Sequence, residues 1–184
     1  AEGEPEGPLP LDEPQMASLQ RAVFRGSEGS DFGKKLRWDA ESHLEEYLSA
    51  TVTSRNQLLY SEVEPIANRS AASVDILNEY FLPAASFVPF VEAMQEIIPR
   101  HGGDLLNVTV RNVSADRDTF LRYAETDVYA FVLLFACPLS DAGDAGMQTM
   151  TRELVDACTR LRGRFYLPYR LHYTTEQLHA AGYD

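Results

Sequence analysis

The stretch DVYAFVLLFAC at 127–137 constrains the fold most. It is apolar, β-branched and aromatic after its first residue, yet too short to cross a bilayer, so it reads as a strand buried on both faces. Such a strand needs partner strands on its edges and a covering layer, which neighbouring segments must supply.

The flanking sequence meets that demand. DILNEYFL at about 75–82 reads as a strand, followed by Pro83 and by a helix starting near Ser86. In that helix Phe87, Phe90, Val91, Met94, Ile97 and Ile98 fall on one stripe, and Pro89 sits in the first turn, where a missing N–H costs little. Gly102 and Gly103 end it, and LLNVTVRNV at 105–113 then alternates with period two. A second helix, from Asp141 to about Leu161, gathers Met147, Met150, Leu154, Cys158 and Leu161 on one side and closes at Gly163. RFYLPYRLH at 164–172 reads as a final strand, and a short helix follows at 174–180. Strand, helix, strand, strand, helix, strand over 75–184 predicts an α+β domain of the ferredoxin-like βαββαβ plan. Its helices cover one face of an antiparallel sheet and leave the other free to cover something.

The upstream sequence is of another kind. Residues 1–13 are rich in proline, glycine and acidic side chains and read as a disordered leader or linker remnant. Residues 14–74 read as a helical and extended connecting segment. Helical spacing runs from Pro14 to Phe24 and from Asp31 to Leu48, with GSEGS at 26–30 between and no clear period over 51–74. Together they form an N-terminal helical segment ahead of the sheet domain.

Charge narrows the classes of partner. The formal net charge of −12 repels phosphate backbones and anionic headgroups, which argues against nucleic acid and the membrane surface. With no long apolar run and no signal-like start, a cytoplasmic protein without a membrane span is expected. Cys137 and Cys158 read as two buried thiols or as one disulfide.

Two strands carry the groups suited to chemistry. In NVTVR, alternation sends Val108 and Val110 toward the helices and Asn107, Thr109 and Arg111 to the other face, which is either washed by solvent or lined for a ligand. RFYLPYRLH brings Tyr166, Tyr169, Arg170 and His172 close together, with Arg170 and His172 on one face if the strand is regular. A phenol, a guanidinium and an imidazole in that density suit an anionic or polyhydroxylated substrate or a proton shuttle, or else belong to an ordinary half-buried strand. GxGxxG, GxxxxGK[ST], CxxC, HExxH and GxSxG are all absent, and the four histidines are scattered, so no metal site is expected.

SRNQ at 54–57, DILNEYFLP at 75–83, LLNVTVRNV at 105–113, DVYAFVLLF at 127–135 and YLPYRLH at 166–172 occur in that order, with FGKKLRW at 32–38 ahead of them. In these passages the chain resembles the C-terminal part of bacterial FAD-linked oxidases, of the vanillyl-alcohol oxidase/PCMH flavoprotein superfamily. The resemblance covers nearly everything except the acidic leader, and its specificity lies in order and spacing. In such enzymes FAD occupies a separate domain with a glycine-rich pyrophosphate-binding segment, while a cap sheet covers the isoalloxazine ring. The resemblance therefore implies the substrate-binding cap of an FAD-dependent oxidoreductase that oxidises an alcohol or lactone-type substrate. FAD would be bound mainly by a domain missing from this chain, which alone would be inactive. By the same resemblance His172 and Arg170 are the catalytic candidates. Asn107, Arg111, Tyr169 and Asn56 are the small-molecule substrate contacts, and Tyr129, Phe131, Leu133 and Phe135 lend apolar walls. The alternative is a stand-alone ferredoxin-like module that binds a small ligand or a protein without flavin, and a third reading is a homo-oligomer formed through the exposed sheet face.

Overall fold

The structure, a computed structural model, describes residues 17–48, 66–120 and 122–183. The chain divides into two compact units, Ala1–Arg69 and Ser70–Asp184. The leader at 1–13, Asn56 and SRNQ lie outside the described residues.

In the first unit α1 (Ala17–Arg25) and α2 (Asp31–Leu48) are joined by the turn at 26–30. Their crossing depends on glycine, because a Cβ on Gly33 would lie 2.1 Å from the Gly26 carbonyl oxygen. Phe24 is buried, with the Arg37 guanidinium 4.3 Å from its ring centre.

The second unit is the α+β domain that the sequence predicts. β1 (Ser73–Pro83), β2 (Asp104–Val113), β3 (Val128–Pro138) and β4 (Arg164–Phe165) form one antiparallel sheet in the order β2-β3-β1-β4, the ferredoxin-like arrangement. β1 pairs with β3 from Ser73↔Pro138 to Pro83↔Val128, so the most apolar strand sits inside the sheet. A single 3-10 turn at Ala84–Ser86 leads into α3 (Phe87–Arg100), and α4 (Asp141–Arg160) and α5 (Thr175–Ala180) follow β3 and β4. The Ser140 side chain caps α4 by accepting from the Gly143 N–H, and Thr174 with Gln177 forms a capping box on α5. Among the described residues no helix is long and apolar enough to cross a membrane.

One face of the sheet holds the main core. Register places Ile76, Asn78, Tyr80 and Leu82 of β1 beside Phe135, Leu133, Phe131 and Tyr129 of β3. Onto these pack Phe90, Met94, Ile97 and Ile98 of α3 and Met147, Met150, Leu154 and Cys158 of α4. Phe131 meets the rings of Phe87 and Phe90 at 4.9 and 5.3 Å. Asn78, the buried polar residue of this face, donates from Nδ2 to Thr151 Oγ1 at 3.2 Å, which satisfies it. Both cysteines are buried free thiols, so the disulfide reading falls away.

Three expectations are corrected. First, Phe131, Leu133 and Phe135, together with Tyr129, belong to the helix-side core and not to a ligand cavity. The residues of β3 that face the other way are Val128, Ala130, Val132, Leu134 and Ala136. Second, the last strand stops at Phe165 instead of reaching His172. The Tyr166 N–H still donates to the Glu79 carbonyl at 2.9 Å, but Pro168 has no N–H with which to continue the ladder, and the chain turns away. Third, Val108 and Val110 do face the helix side, opposite Leu133 and Phe131, yet they remain 38% and 43% exposed. β2 is the sheet edge, and the helices cover chiefly β1 and β3. A bulge between Leu105 and Asn107 buries Leu106 and sets the alternation that follows.

Candidate functional site

The second face of the sheet follows from the same register. Asn107, Thr109 and Arg111 of β2 stand opposite Leu134, Val132 and Ala130 of β3, which in turn stand opposite Leu77, Glu79 and Phe81 of β1. Among the described residues of the second unit no helix packs on this face; α3, α4 and α5 all contribute to the core on the other side. It carries a polar row from β2 beside Leu77, Val132 and Leu134, of which Leu77 is exposed while Val132 and Leu134 are buried.

At the centre of that face lies a carboxylate. The Glu79 side chain is only 10% exposed, with Oε1 3.6 Å from Arg111 Nη2, whose side chain is 56% exposed. The Tyr169 phenol lies beside the same carboxylate. Burial raises the Glu79 pKa above the ordinary carboxylate value, against the lowering effects of Arg111 and then of Tyr169. The Tyr169 hydroxyl is pushed up as well, first by burial and then by the neighbouring Glu79 charge. A carboxylate so held can accept a hydrogen bond or a proton from a hydroxyl, while the guanidinium beside it offers N–H donors to an oxygen.

Aromatic rings close one end of this site. Phe81 stacks on Tyr123 with centroids 4.0 Å apart, Tyr166 stands edge-on to both, and Tyr166 meets Tyr169 at 4.9 Å. The turn after β4 thus delivers Tyr169 to Glu79 by ring packing rather than by strand pairing.

Arg170 and His172 lie in a different place. Arg170 Nη1 is 3.1 Å and His172 Nε2 3.5 Å from Oδ1 of Asp144, in the first turn of α4. Arg170 and Asp144 line a shallow cleft of about 450 Å³ with Val74, Cys137, Ser140 and Gln148. The His172 ring is buried and its Nδ1 has no hydrogen-bond partner, so burial lowers its pKa, opposed by Asp144. The two residues do act on a common group, but Asp144 is on the helix side of the sheet. The structure therefore gathers Arg111 and Tyr169 around Glu79, keeps Asn107 on the same face with its Nδ2 donating to Thr109 Oγ1 at 3.1 Å, and separates Arg170 and His172 from them.

Glu79 and Tyr123 escape a reading of the sequence that looks for motifs. The signal for Glu79 was present in DILNEYFL, where Asp75, Leu77, Glu79 and Phe81 share the parity opposite to the core residues Ile76, Tyr80 and Leu82. Tyr123 gives no such signal, because it lies in an irregular loop.

No family model matches the chain, and no curated protein matches it. Among solved structures, a C-terminal segment of the alpha subunit of aIF2 from Pyrococcus abyssi is similar over 85% of this chain and 94% of that chain, at 15% identity and a TM-score of 0.31. A likeness that slight carries no weight for function, and the fold rests on the strand order and register above.

Proposed function

We propose that the helix-free face of the sheet is the substrate-covering surface of an FAD-dependent oxidoreductase that acts on an alcohol or lactone-type carbon. The observation that carries this reading is the Glu79 carboxylate, held between Arg111 and Tyr169 on a sheet face that no helix of its unit fills. A largely buried carboxylate whose pKa is shifted by burial and by a specific charged partner is a candidate functional group. The redox part of the reading is supported by the resemblance of 54–184 to the cap region of FAD-linked oxidases.

The donor set fits the edge of a flavin ring and a polar substrate. Arg111 and Thr109 present N–H and O–H groups on this face, with Leu77 exposed on the far side of β3. The sequence offers no glycine-rich phosphate cradle, so the pyrophosphate of FAD would be held by another domain. When bound, the flavin supplies a hydride acceptor. This chain's residues would bind and orient the substrate: Glu79, with the Tyr169 phenol beside it, accepts from its hydroxyl, and Arg111 donates to a substrate oxygen.

The product of the whole coding sequence tests the proposal. It should carry FAD by its visible spectrum, and anaerobic addition of alcohols should bleach that spectrum. Glu79→Ala and Arg111→Ala should keep the flavin but slow its reduction by about 10²-fold, the usual loss on removing an acid–base or orienting group. A flavin-free product, or unchanged reduction in both variants, would refute it. The former result would favour the ligand-binding module without flavin.

A further inference from the structure

We propose that the turn at 166–172 is a pH-operated strap: neutral His172 seats it against α4 and so keeps Tyr169 beside Glu79, and protonation of His172 frees the turn and uncovers that carboxylate. Such a strap goes beyond the redox reading and needs neither flavin nor substrate.

The turn stands on two feet, one on each side of the sheet. On the side turned from the helices the Tyr169 phenol lies beside the largely buried Glu79. On the helix side Arg170 and His172 meet Asp144 of α4, at 3.1 and 3.5 Å. Between the feet the backbone has little to hold it. Residues 166–172 belong to no helix or strand, and Pro168 has no N–H to offer. Among the described residues their backbone N–H groups bond at the two ends, Tyr166 to the Glu79 carbonyl at 2.9 Å and His172 to the Arg170 carbonyl at 2.8 Å. Side-chain packing at the feet therefore fixes the turn, and a change at one foot reaches the other through a short span of unpaired backbone.

His172 is built to be held as a neutral ring. Its side chain is 5% exposed and its Nδ1 has no hydrogen-bond partner, so a proton added there would become a buried N–H with nothing to accept it. The charged groups acting on the ring are Asp144 and Arg152 of α4 and Arg170 of the turn itself. Asp144, the anion among them, already meets Arg170 through the same Oδ1, and Arg152 Nε donates to the His172 carbonyl at 2.8 Å. The Cys137 thiol lies by Asp144 and Arg170 too, but burial pushes it up and it stays neutral. An imidazolium would thus occupy a buried position beside two guanidiniums, with one shared carboxylate to offset them. Turning the ring out to water relieves it, along the path of Leu171, which is already 71% exposed. Burial accordingly holds the His172 pKa down, opposed by Asp144, so the strap is seated at neutral pH and lifts in the mildly acidic range.

An NMR titration of the chain, with its histidine and tyrosine rings assigned, tests the strap from about pH 8 to about pH 5, a span that brackets the ordinary histidine range. The His172 ring should titrate with a midpoint below 6.5. The contacts of the Tyr169 ring with Tyr166, 4.9 Å away, and with the Glu79 side chain should be lost at that same midpoint. In His172→Gln, which takes up no proton, they should persist to about pH 5. Arg170→Gln removes an exposed cation that shares Asp144, so it should raise the His172 midpoint and carry the loss of the Tyr169 contacts with it; it is the second arm should His172→Gln not fold. Glu79→Gln should leave the Tyr166–Tyr169 step in place, which separates the strap from titration of Glu79 itself. Tyr169 contacts that survive the titration of His172, a step that remains in His172→Gln, or two midpoints that part in Arg170→Gln would overturn the proposal. So would a His172 midpoint above 6.5, because Asp144 would then be holding the imidazolium in its seat. None of these readouts involves flavin, so failure here leaves the redox reading standing, and a flavin-free gene product leaves the strap untouched.

Discussion

Leu133→Asp and Val108→Asp place the same carboxylate on the same face of the sheet, at two residues that are register partners, and should differ widely in effect. Leu133 is fully buried at the centre of β3, whereas its partner Val108 on β2 is 38% exposed. Replacing Leu133 removes about 1.5–3 kcal/mol of apolar burial and sets an acid against Phe131, Phe135 and the helix layer. With no partner there the added penalty is several kcal/mol, whether the group stays charged or takes up a proton, and the total approaches the whole stability of a domain of this size. An aspartate at Val108 keeps its head in water. Only part of a valine's burial is lost, and with the lower strand propensity of aspartate the total is about 1–2 kcal/mol. The single tryptophan, Trp38, lies in the first unit, so urea melts should be followed by far-ultraviolet circular dichroism or the near-ultraviolet tyrosine band. With a urea slope of about 1–3 kcal/mol per molar, Val108→Asp should lower the midpoint by roughly 1 M, while Leu133→Asp should show no cooperative transition. Comparable losses in the two variants would mean that the helix layer reaches the β2 edge, and the facing derived above would be wrong.

Other outcomes follow from particular sites. Because burial raises the Glu79 pKa, its favourable contribution is present below the unfolded carboxylate value of 4.5 and is lost as pH rises through the folded value. Glu79→Gln should therefore melt at or above the native protein at pH 7 and lose that advantage near pH 4; a variant less stable at pH 7 would show that the Arg111 pairing outweighs desolvation. His172 has the opposite sign, its pKa being lowered first by burial, so its contribution is present above the unfolded value of 6.5 and lost as pH falls through the folded one. His172→Gln should flatten the dependence of the melting temperature on pH below that point, and an unchanged profile would contradict it. Gly163→Ala should destabilise by about 1–3 kcal/mol in the same urea assay, because its Cβ would meet Cys158 Sγ and Leu82 Cδ1 at 2.6 Å and the Phe81 carbonyl at 2.7 Å; a neutral result would imply that the turn into β4 relaxes freely.

Much of the fold was legible because it rests on periodicity. The 3.6-residue stripe of α3, from Phe90 to Ile98, and the continuous apolar run of β3 each have one packing solution, and both place their residues in the core. The final strand was misread for a local reason. RFYLPYRLH has the aromatic content of a strand, but propensity describes a half-buried pleated surface, and Tyr166 and Tyr169 find that surface by packing on one another and on Phe81 outside any ladder. Pro168 was the warning within the segment.

The candidate site was half legible for a related reason. A strand of alternating residues announces which side chains share a face, and Asn107, Thr109 and Arg111 do share one. It does not say which residue of a distant strand completes the set, since the β1–β3–β2 register joins Glu79 to Arg111 across an intervening strand. Nor can period two be carried past the end of a ladder. Within a regular strand Arg170 and His172 would have faced together and Tyr169 apart, and the structure keeps that division although no strand is present: Tyr169 reaches Glu79, while Arg170 and His172 reach Asp144 at the start of α4. What sorts them is the partner waiting on each side, a largely buried carboxylate on the face turned from the helices and an exposed one at a helix terminus. Chemistry assigned to this turn therefore has to be divided, with Tyr169 falling to the Glu79 face and the histidine tied to the helix layer.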